Sequence, residues 1–428
     1  MRNRFGAILA VALTLTLGCN EKTPSDGGPA KQASSQAASV ASPASGAAST
    51  ATNAKAELGK GLGEATKTTT ELVEAAKEVK ALAENKTPGV TVEAYEALLL
   101  KLSDCAVTGS GIDRKCDAYK ALRQARKNRG TLVKDWGGAM AGLGRKHISH
   151  ANPAVRIQAA SLMGSIFGTS ADSQTLLIKA ATGEKHPEVL KQILRTLASS
   201  IGKNPAIKDL LLSQADHAND KVRMEVVSGL TSTWAKGTTG TLEKAMEMVE
   251  KDTSNDVRNY ACRRLGERAD ERVLPLLKKL TKAPGDNPKL YSACFRGLIA
   301  MWSSPVAHAK PSKKAYQLTL KLLAKKPRSS AHPPWTAIPA MEWAKQKRFS
   351  DNAPWFKRAD LVAVLGKIVA DKKANWLARS SGVDAMRKLG ASQADFAKLE
   401  AIYAGAKDTP GTDKRIYEKI KKAGSQAK

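Results

Sequence analysis

Val155, Val189, Val222, Val257 and Leu290 lie 34, 33, 35 and 33 residues apart, each inside a copy of one pattern. Asn152-Pro-Ala-Val-Arg-Ile-Gln-Ala-Ala-Ser-Leu-Met-Gly164 lines up with Asn255-Asp-Val-Arg-Asn-Tyr-Ala-Cys-Arg-Arg-Leu-Gly266. His186-Pro-Glu-Val189, Asn219-Asp-Lys-Val222 and Asn287-Pro-Lys-Leu290 open the other three copies. Asn or Asp ahead of a helix supplies a side-chain oxygen to orphan backbone N–H groups, and Pro is tolerated at the first helical position. After each anchor, apolar character returns four, five and eight residues on, which marks one helical face. Ala159, Ala160 and Ala261 keep that face small enough for a neighbouring helix to come close. A second amphipathic stretch lies between anchors, at Ser173–Ala181, Ile207–Ala215, Leu242–Val249 and Val273–Leu280. A period near 34 residues is therefore a pair of helices, and such a pair buries its apolar face only by stacking on its neighbours. With aromatic residues at 5%, the composition favours close-packed helices over a β-sandwich.

The pattern Asn/Asp-(Pro)-x-Val-Arg-x-x-Ala-Ala-x-x-Leu-Gly resembles a HEAT repeat, in the variant shared with phycobilisome-lyase HEAT-like repeats. Val155/Arg156, Val222/Arg223 and Val257/Arg258 carry the resemblance best. Leu190 and Tyr291 stand where two copies lack the Arg. The resemblance implies an all-α fold, an α-solenoid of the armadillo type, and a chain that works by protein contact.

Around the regular repeats at 151–302, the expected organisation is a helical cap region at 56–150 and a basic helical region at 303–428. Within the cap region, Ala56–Asn85 and Val92–Asp104 read as helices, and Asp113–Asn128 with Leu132–Lys146 as a degenerate pair. Residues 327–356 break the rhythm with Pro327, Pro333, Pro334, Pro339 and Pro354. They read as an inserted loop and short helix, after which helices resume at Ala359–Asp371, Asn375–Leu389 and Ala394–Ala404.

Residues 1–19 read as a targeting segment. Arg2 and Arg4 precede an apolar run, Phe5 to Leu17, too short to span a bilayer. Leu15-Thr16-Leu17-Gly18-Cys19 resembles the lipobox of bacterial lipoproteins, with Thr16 where that family usually has Leu. The resemblance implies diacylation of Cys19, which would then be the new N-terminus. The absence of Asp after it, where Asn20 stands, implies the outer membrane. An ordinary cleaved signal with an incidental Cys is the alternative. Residues 20–55 are mostly Ala, Ser, Thr, Pro and Gly, too poor in large apolar side chains to offset ordering entropy, and read as a disordered tether.

Cys105, Cys116, Cys262 and Cys294 remain, an even number that suits disulfides in an exported protein. Cys105 and Cys116 bracket a Gly-rich hairpin and are well placed to bridge. Cys262 and Cys294 occupy equivalent helices of consecutive repeats. Helix axes about 8–10 Å apart compare poorly with the roughly 4.4–6.8 Å that a disulfide allows between Cα atoms. A bridge through the shared interface and a pair of buried thiols both stay open.

Lys and Arg exceed Asp and Glu by 69 − 40 = 29. The excess concentrates downstream, and its peak is residues 310–350, where ten cations face Glu342 alone. Lys310, Lys313, Lys314, Lys325, Lys326, Arg328, Lys345, Lys347 and Arg348, with Trp335 and Trp343, are the candidate partner-binding residues. Cations and exposed indoles would hold an acidic protein, anionic glycan or lipid head group. The competing reading is an ordinary solvated Lys face with the Trps in the core.

No catalytic motif emerges. His147 and His150 lack nearby ligands for a metal set, Gly59-Lys-Gly61-Leu-Gly63 lacks the Lys-Ser/Thr ending of a phosphate loop, and there is no His-Glu dipeptide of the kind HEAT-type hydroxylases use. No cofactor or metal is expected. The expected function is a non-catalytic protein-binding or assembly scaffold, lipid-anchored in the bacterial cell envelope. The expected partner is a protein, an acidic one among the options, with nucleic acid set aside by the export signal and the oligomeric state open. The alternatives are a binder of lipopolysaccharide or an acidic polymer through the basic C-terminal third, and an enzyme with its site in 327–356.

Overall fold

The computed structural model describes residues 90–427, apart from 128–134, 165–168, 304–309, 326–330, 346–351 and 409 and the side chains of Trp343 and Lys345. Cys19, the tether and Ala56–Asn85 lie outside the described residues. The described ones belong to one compact unit, Ala65–Lys428.

The fold is an all-α solenoid. The first described helix, α1 (Val92–Leu100), leads into a two-stranded hairpin, β1 (Val107–Thr108) and β2 (Gly111–Ile112), with Val107 opposite Ile112. Gly111 takes the left-handed φ of 102° that the tight turn demands. Cys105 and Cys116 close this hairpin with a disulfide, their Cα atoms 5.7 Å apart. Next come α2 (Asp117–Lys127), α3 (Trp136–His147), α4 (Pro153–Leu162), α5 (Ala171–Gly183), α6 (Pro187–Leu197), α7 (Pro205–Ser213) and α8 (Asp220–Leu230). Then follow α9 (Thr241–Lys251), α10 (Asn255–Arg268), α11 (Leu274–Leu280), α12 (Pro288–Ser303) and α13 (Lys313–Ala324). After the Pro-rich segment come α14 (Arg358–Ala370), α15 (Trp376–Lys388), α16 (Gln393–Tyr403) and α17 (Thr412–Ser425).

The helices form two layers. α4, α6, α8, α10 and α12, the anchor-bearing helices, pack directly on one another in sequence and form what we term the front layer. Their partners α3, α5, α7, α9 and α11 form the back layer and touch one another far less. Val155, Val189, Val222 and Val257 are completely buried, and Leu290 nearly so. Each anchor therefore holds its helix to both the pair partner and the next repeat. Asn255 begins α10 itself, behind Ser254, and does not cap it, but Asn152, Asn204, Asn219 and Asn375 cap as expected, accepting from the N–H two residues on, at 2.8, 3.0, 2.9 and 2.8 Å. His186 does the same through Nδ1.

The Arg after the anchor clamps the array in two of the three copies that have it, while Arg258 donates to the Val249 carbonyl (2.9 Å). Arg156 donates to both carboxylate oxygens of Glu184 (2.8 and 2.9 Å) and to the carbonyls of His150 and Ala151. Two repeats further, Arg223 makes the same set with Asp252 (2.8 and 2.9 Å) and the carbonyls of His217 and Ala218. Each guanidinium thus ties the turn before its own helix to the turn of the following pair. The fork geometry suits the planar guanidinium, and the Asp252 hydrogen bonds hold Arg223 still more firmly charged than usual.

Two departures from the sequence reading have physical causes. α3 packs on α4 as its pair partner, so the repeat array begins inside the expected cap region, and the described part of the second expected cap helix, Trp136–His147, pairs with α4 rather than with α2. The described part of 327–356 carries a short helix, as expected, but that helix does more than link two repeats. The 3-10 segment Ile338–Lys345 packs against both α12 and α15, in the place where a front-layer helix would stand. α13, which precedes it in the chain, lies in the back layer: Ser312 and Lys314 at its start bond Glu271 ahead of α11, and Lys325 at its end bonds the Lys282 carbonyl. The front-layer place is thus filled by a tighter 3-10 helix without the 3.6-residue period. Trp302, Tyr316, Trp355 and Phe356 fill the space beside it, with Tyr316 5.1–5.4 Å from the other three ring centroids.

Two stability predictions follow from these contacts. Arg223→Ala leaves Asp252, whose side chain is 4% exposed, without its cation and should cost about 3–5 kcal/mol in denaturant unfolding. Lys314→Ala, at an exposed pair, should change the midpoint little. Glu96 on α1 holds Lys146 and His147 of α3; burial raises its pKa, but those hydrogen bonds outweigh burial and leave it below the usual carboxylate range. Its contribution is therefore present above the unfolded carboxyl pKa and lost as pH falls through the folded one. The stability gap between wild type and Glu96→Gln should be full at neutral pH and close below about pH 4.

Candidate functional site

On each front-layer helix the positions one before the anchor and two, three and six after it face away from the back layer. In α10 these are Asp256, Asn259, Tyr260 and Arg263; in α12 they are Lys289, Ser292, Ala293 and Arg296. The spacing i, i+3, i+4, i+7 is one helical stripe. Together with Lys221 and Met224 of α8 and the segment Ala331–Thr336, the two stripes line an open cleft of about 760 Å³. Four cations meet one carboxylate in it.

The cations differ in how far they are committed. Upstream on the same layer, Lys191 is paired with Glu188 and Arg195 with Glu225. Among the described residues, Lys221 has only Asp220, at 3.9 Å. Arg263 lies over the Tyr260 ring, 5.3 Å from its centroid, with Glu267 at 3.9 Å and a buried Nε that has no hydrogen-bond partner. Lys289 and Arg296 are exposed and, among the described residues, have no carboxylate within 4.0 Å. Unpaired positive charge thus gathers where α10 and α12 meet the Pro-rich segment.

That segment is held on α12. His332 is buried and hydrogen-bonded to the Tyr291 hydroxyl, whose pKa burial drives well above the tyrosine range. Thr336 bonds Ser292 on the cleft wall. Trp335, between these two attachments, is 41% exposed and forms the apolar rim of the cleft.

The two cleft helices approach more closely than ordinary packing permits. A Cβ on Gly266 would lie 2.0 Å from the Gly297 carbonyl oxygen, and one on Gly297 would lie 2.5 Å from that of Cys262. The facing glycines bring the backbones together, and the Cα atoms of Cys262 and Cys294 come to 5.0 Å and are joined by a disulfide. Both cysteines are completely buried. The bridge is the outcome that average helix spacing left open.

The described residues of the set singled out in the 310–350 stretch lie in two places. Lys313 and Lys314 start α13, Lys310 precedes it and Lys325 follows it; all four are exposed, and α13 belongs to the back layer. Of the set, Trp335 reaches the cleft. Lys326, Arg328, Lys347 and Arg348 lie outside the described residues, as do the side chains of Trp343 and Lys345. Among the described residues of the set, the lysines around α13 and Trp335 lie in different layers. The cleft cations escaped notice because they are spread over three repeats, and the signal that finds them is the helical stripe opposite the anchors. His147 bonds Glu96, and among the described residues no group of three or more His, Cys, Asp or Glu side chains is placed to hold a metal.

Residues 208–293 match the family model for HEAT repeats. The match spans α8 to α10 and reaches into α12, so it includes most of the cleft-lining repeat positions. No curated protein matches the chain.

Gly297→Ala should push α10 and α12 apart at a backbone contact that has no flexible side chain to yield. A loss of about 1–3 kcal/mol is expected, together with free thiols at Cys262 and Cys294 on titration of the denatured, unreduced protein. Gly183→Ala, where an added Cβ meets nothing, is the matched control.

Proposed function

We propose that this chain is a non-catalytic binding scaffold of the bacterial cell envelope, carried on lipid at Cys19 and holding a protein partner on the front layer of its solenoid. The observation that carries the reading is the open cleft across α8, α10 and α12, in which three consecutive repeats present a charged and aromatic stripe to solvent. HEAT repeats commonly serve as interaction scaffolds, and the cleft lies largely within the residues that match them. The lipobox-like Leu15–Cys19 and the Ala/Ser-rich residues 20–55 support attachment through a tether, with the outer membrane favoured by Asn20. Two disulfides suit an oxidising compartment. Among the described residues no helix is long and apolar enough to cross a membrane, so the anchoring in this reading falls to the lipid.

Affinity capture of the full chain from chemically cross-linked envelopes tests the proposal. A protein should be recovered with wild type and depleted when Tyr260 and Arg296 are both changed to Ala; recovery of no cleft-dependent protein overturns it. Cys19→Ala should abolish incorporation of labelled fatty acid and release the chain from the membrane fraction, whereas unchanged labelling would contradict the anchor.

A further inference from the structure

The cleft is specific about the chemistry that would fill it. Arg263 and Arg296 occupy equivalent positions on adjacent helices that approach more closely than the usual spacing of roughly 8–10 Å. Lys289 and Arg296 are seven residues apart on α12, about 10 Å along the axis. Lys221 stands on α8 at the stripe position that Lys289 holds on α12. Four cations on three successive front-layer helices therefore line one cleft.

Two further features narrow the class. Guanidinium groups with free donors match planar carboxylates through paired hydrogen bonds. Alongside the charge stand Trp335, 41% exposed, with Pro334, Ala331 and Met224, which offer an apolar surface to a hydrophobic side chain. A ligand that supplies several carboxylates together with apolar side chains is an acidic peptide. An anionic glycan supplies the first without the second.

From this arrangement we infer that the cleft binds an extended acidic peptide segment, with carboxylates on Lys221, Arg263, Lys289 and Arg296, and an aromatic or large aliphatic side chain against Trp335. The inference rests on the scaffold reading above and names the partner's chemistry. Asp256, the one carboxylate lining the cleft, sets direction: a ligand carboxylate is repelled beside it and favoured on the α12 side. The attraction is electrostatic between exposed groups, so it weakens with salt.

The test uses the full chain and a fluorescent synthetic peptide carrying Glu at every third position and a central Phe. Anisotropy should show saturable, salt-sensitive binding, and the same peptide with Gln for each Glu should bind at least about tenfold more weakly. Arg296→Glu and Lys289→Glu, both on an exposed stripe, should each weaken binding by about tenfold or more, and Trp335→Ala should erase the preference for Phe over Ala in the peptide. Lys313→Glu with Lys314→Glu, in the back layer, should leave binding unchanged. Equal binding of the Glu and Gln peptides to wild type overturns the inference and needs no variant to fold. Tighter binding of polygalacturonate than of the peptide, lost in Arg296→Glu, overturns it in favour of a glycan. A captured envelope protein whose recovery needs Tyr260 but survives Arg296→Glu leaves the scaffold reading standing and removes this one.

Discussion

The structure depends on the contact between successive front-layer helices. A single helical pair of about 34 residues has an apolar face it cannot bury alone, and each anchor valine is buried only because the next repeat covers it. That dependence explains why the capping Asn residues and the Arg clamps recur at the same place. Arg156 and Arg223 do not add to the hydrophobic contact. They set its register, because each fork reaches back to the turn before its own helix and forward to an acid in the following pair. Stacking thus supplies the energy, and buried charge selects one geometry for it.

Where the stacking is tightest, the chain presents its candidate site. Gly266 and Gly297 remove the side chains that would keep α10 and α12 at ordinary distance, and the Cys262–Cys294 bridge holds them there. The stripes opposite the anchors are then brought side by side, so residues separated by a whole repeat in sequence line one wall. The Pro-rich segment completes the cleft by taking a front-layer place without forming an α-helix. Tyr291 and Ser292 hold it through His332 and Thr336, and Trp335 is the side chain left facing outward.

Much of this was legible in the residues. The anchor period predicts paired helices, and most boundaries agree within a few positions, because caps and apolar spacing are local signals. α17 was not anticipated, since its lysine-rich sequence hides the buried Ile416 and Ile420. The front-layer role of Ile338–Lys345 was illegible because a 3-10 segment among prolines has no helical period to read. The Cys262–Cys294 pairing was undecided for want of one fact, the two facing glycines, which stand in the sequence at the Leu-Gly close of one copy and the Gly-Leu of the next. Charge density along the chain pointed to 310–350, but a solenoid sorts residues by layer rather than by neighbourhood. Lys313 and Trp335 are close in sequence and lie in different layers, whereas Lys221 and Arg296 are 75 positions apart and line the same cleft.

The central claim is that recognition occurs on the front layer, along the stripe that faces away from the anchors. Site-specific photocross-linking in intact cells addresses it most directly. A photoreactive side chain placed singly at Met224, Tyr260 and Ala293 should trap a common protein partner, while the same group at Lys313 and Lys321 of the back layer should trap none. Cross-links confined to the back-layer positions, with the front stripe silent, would contradict the account.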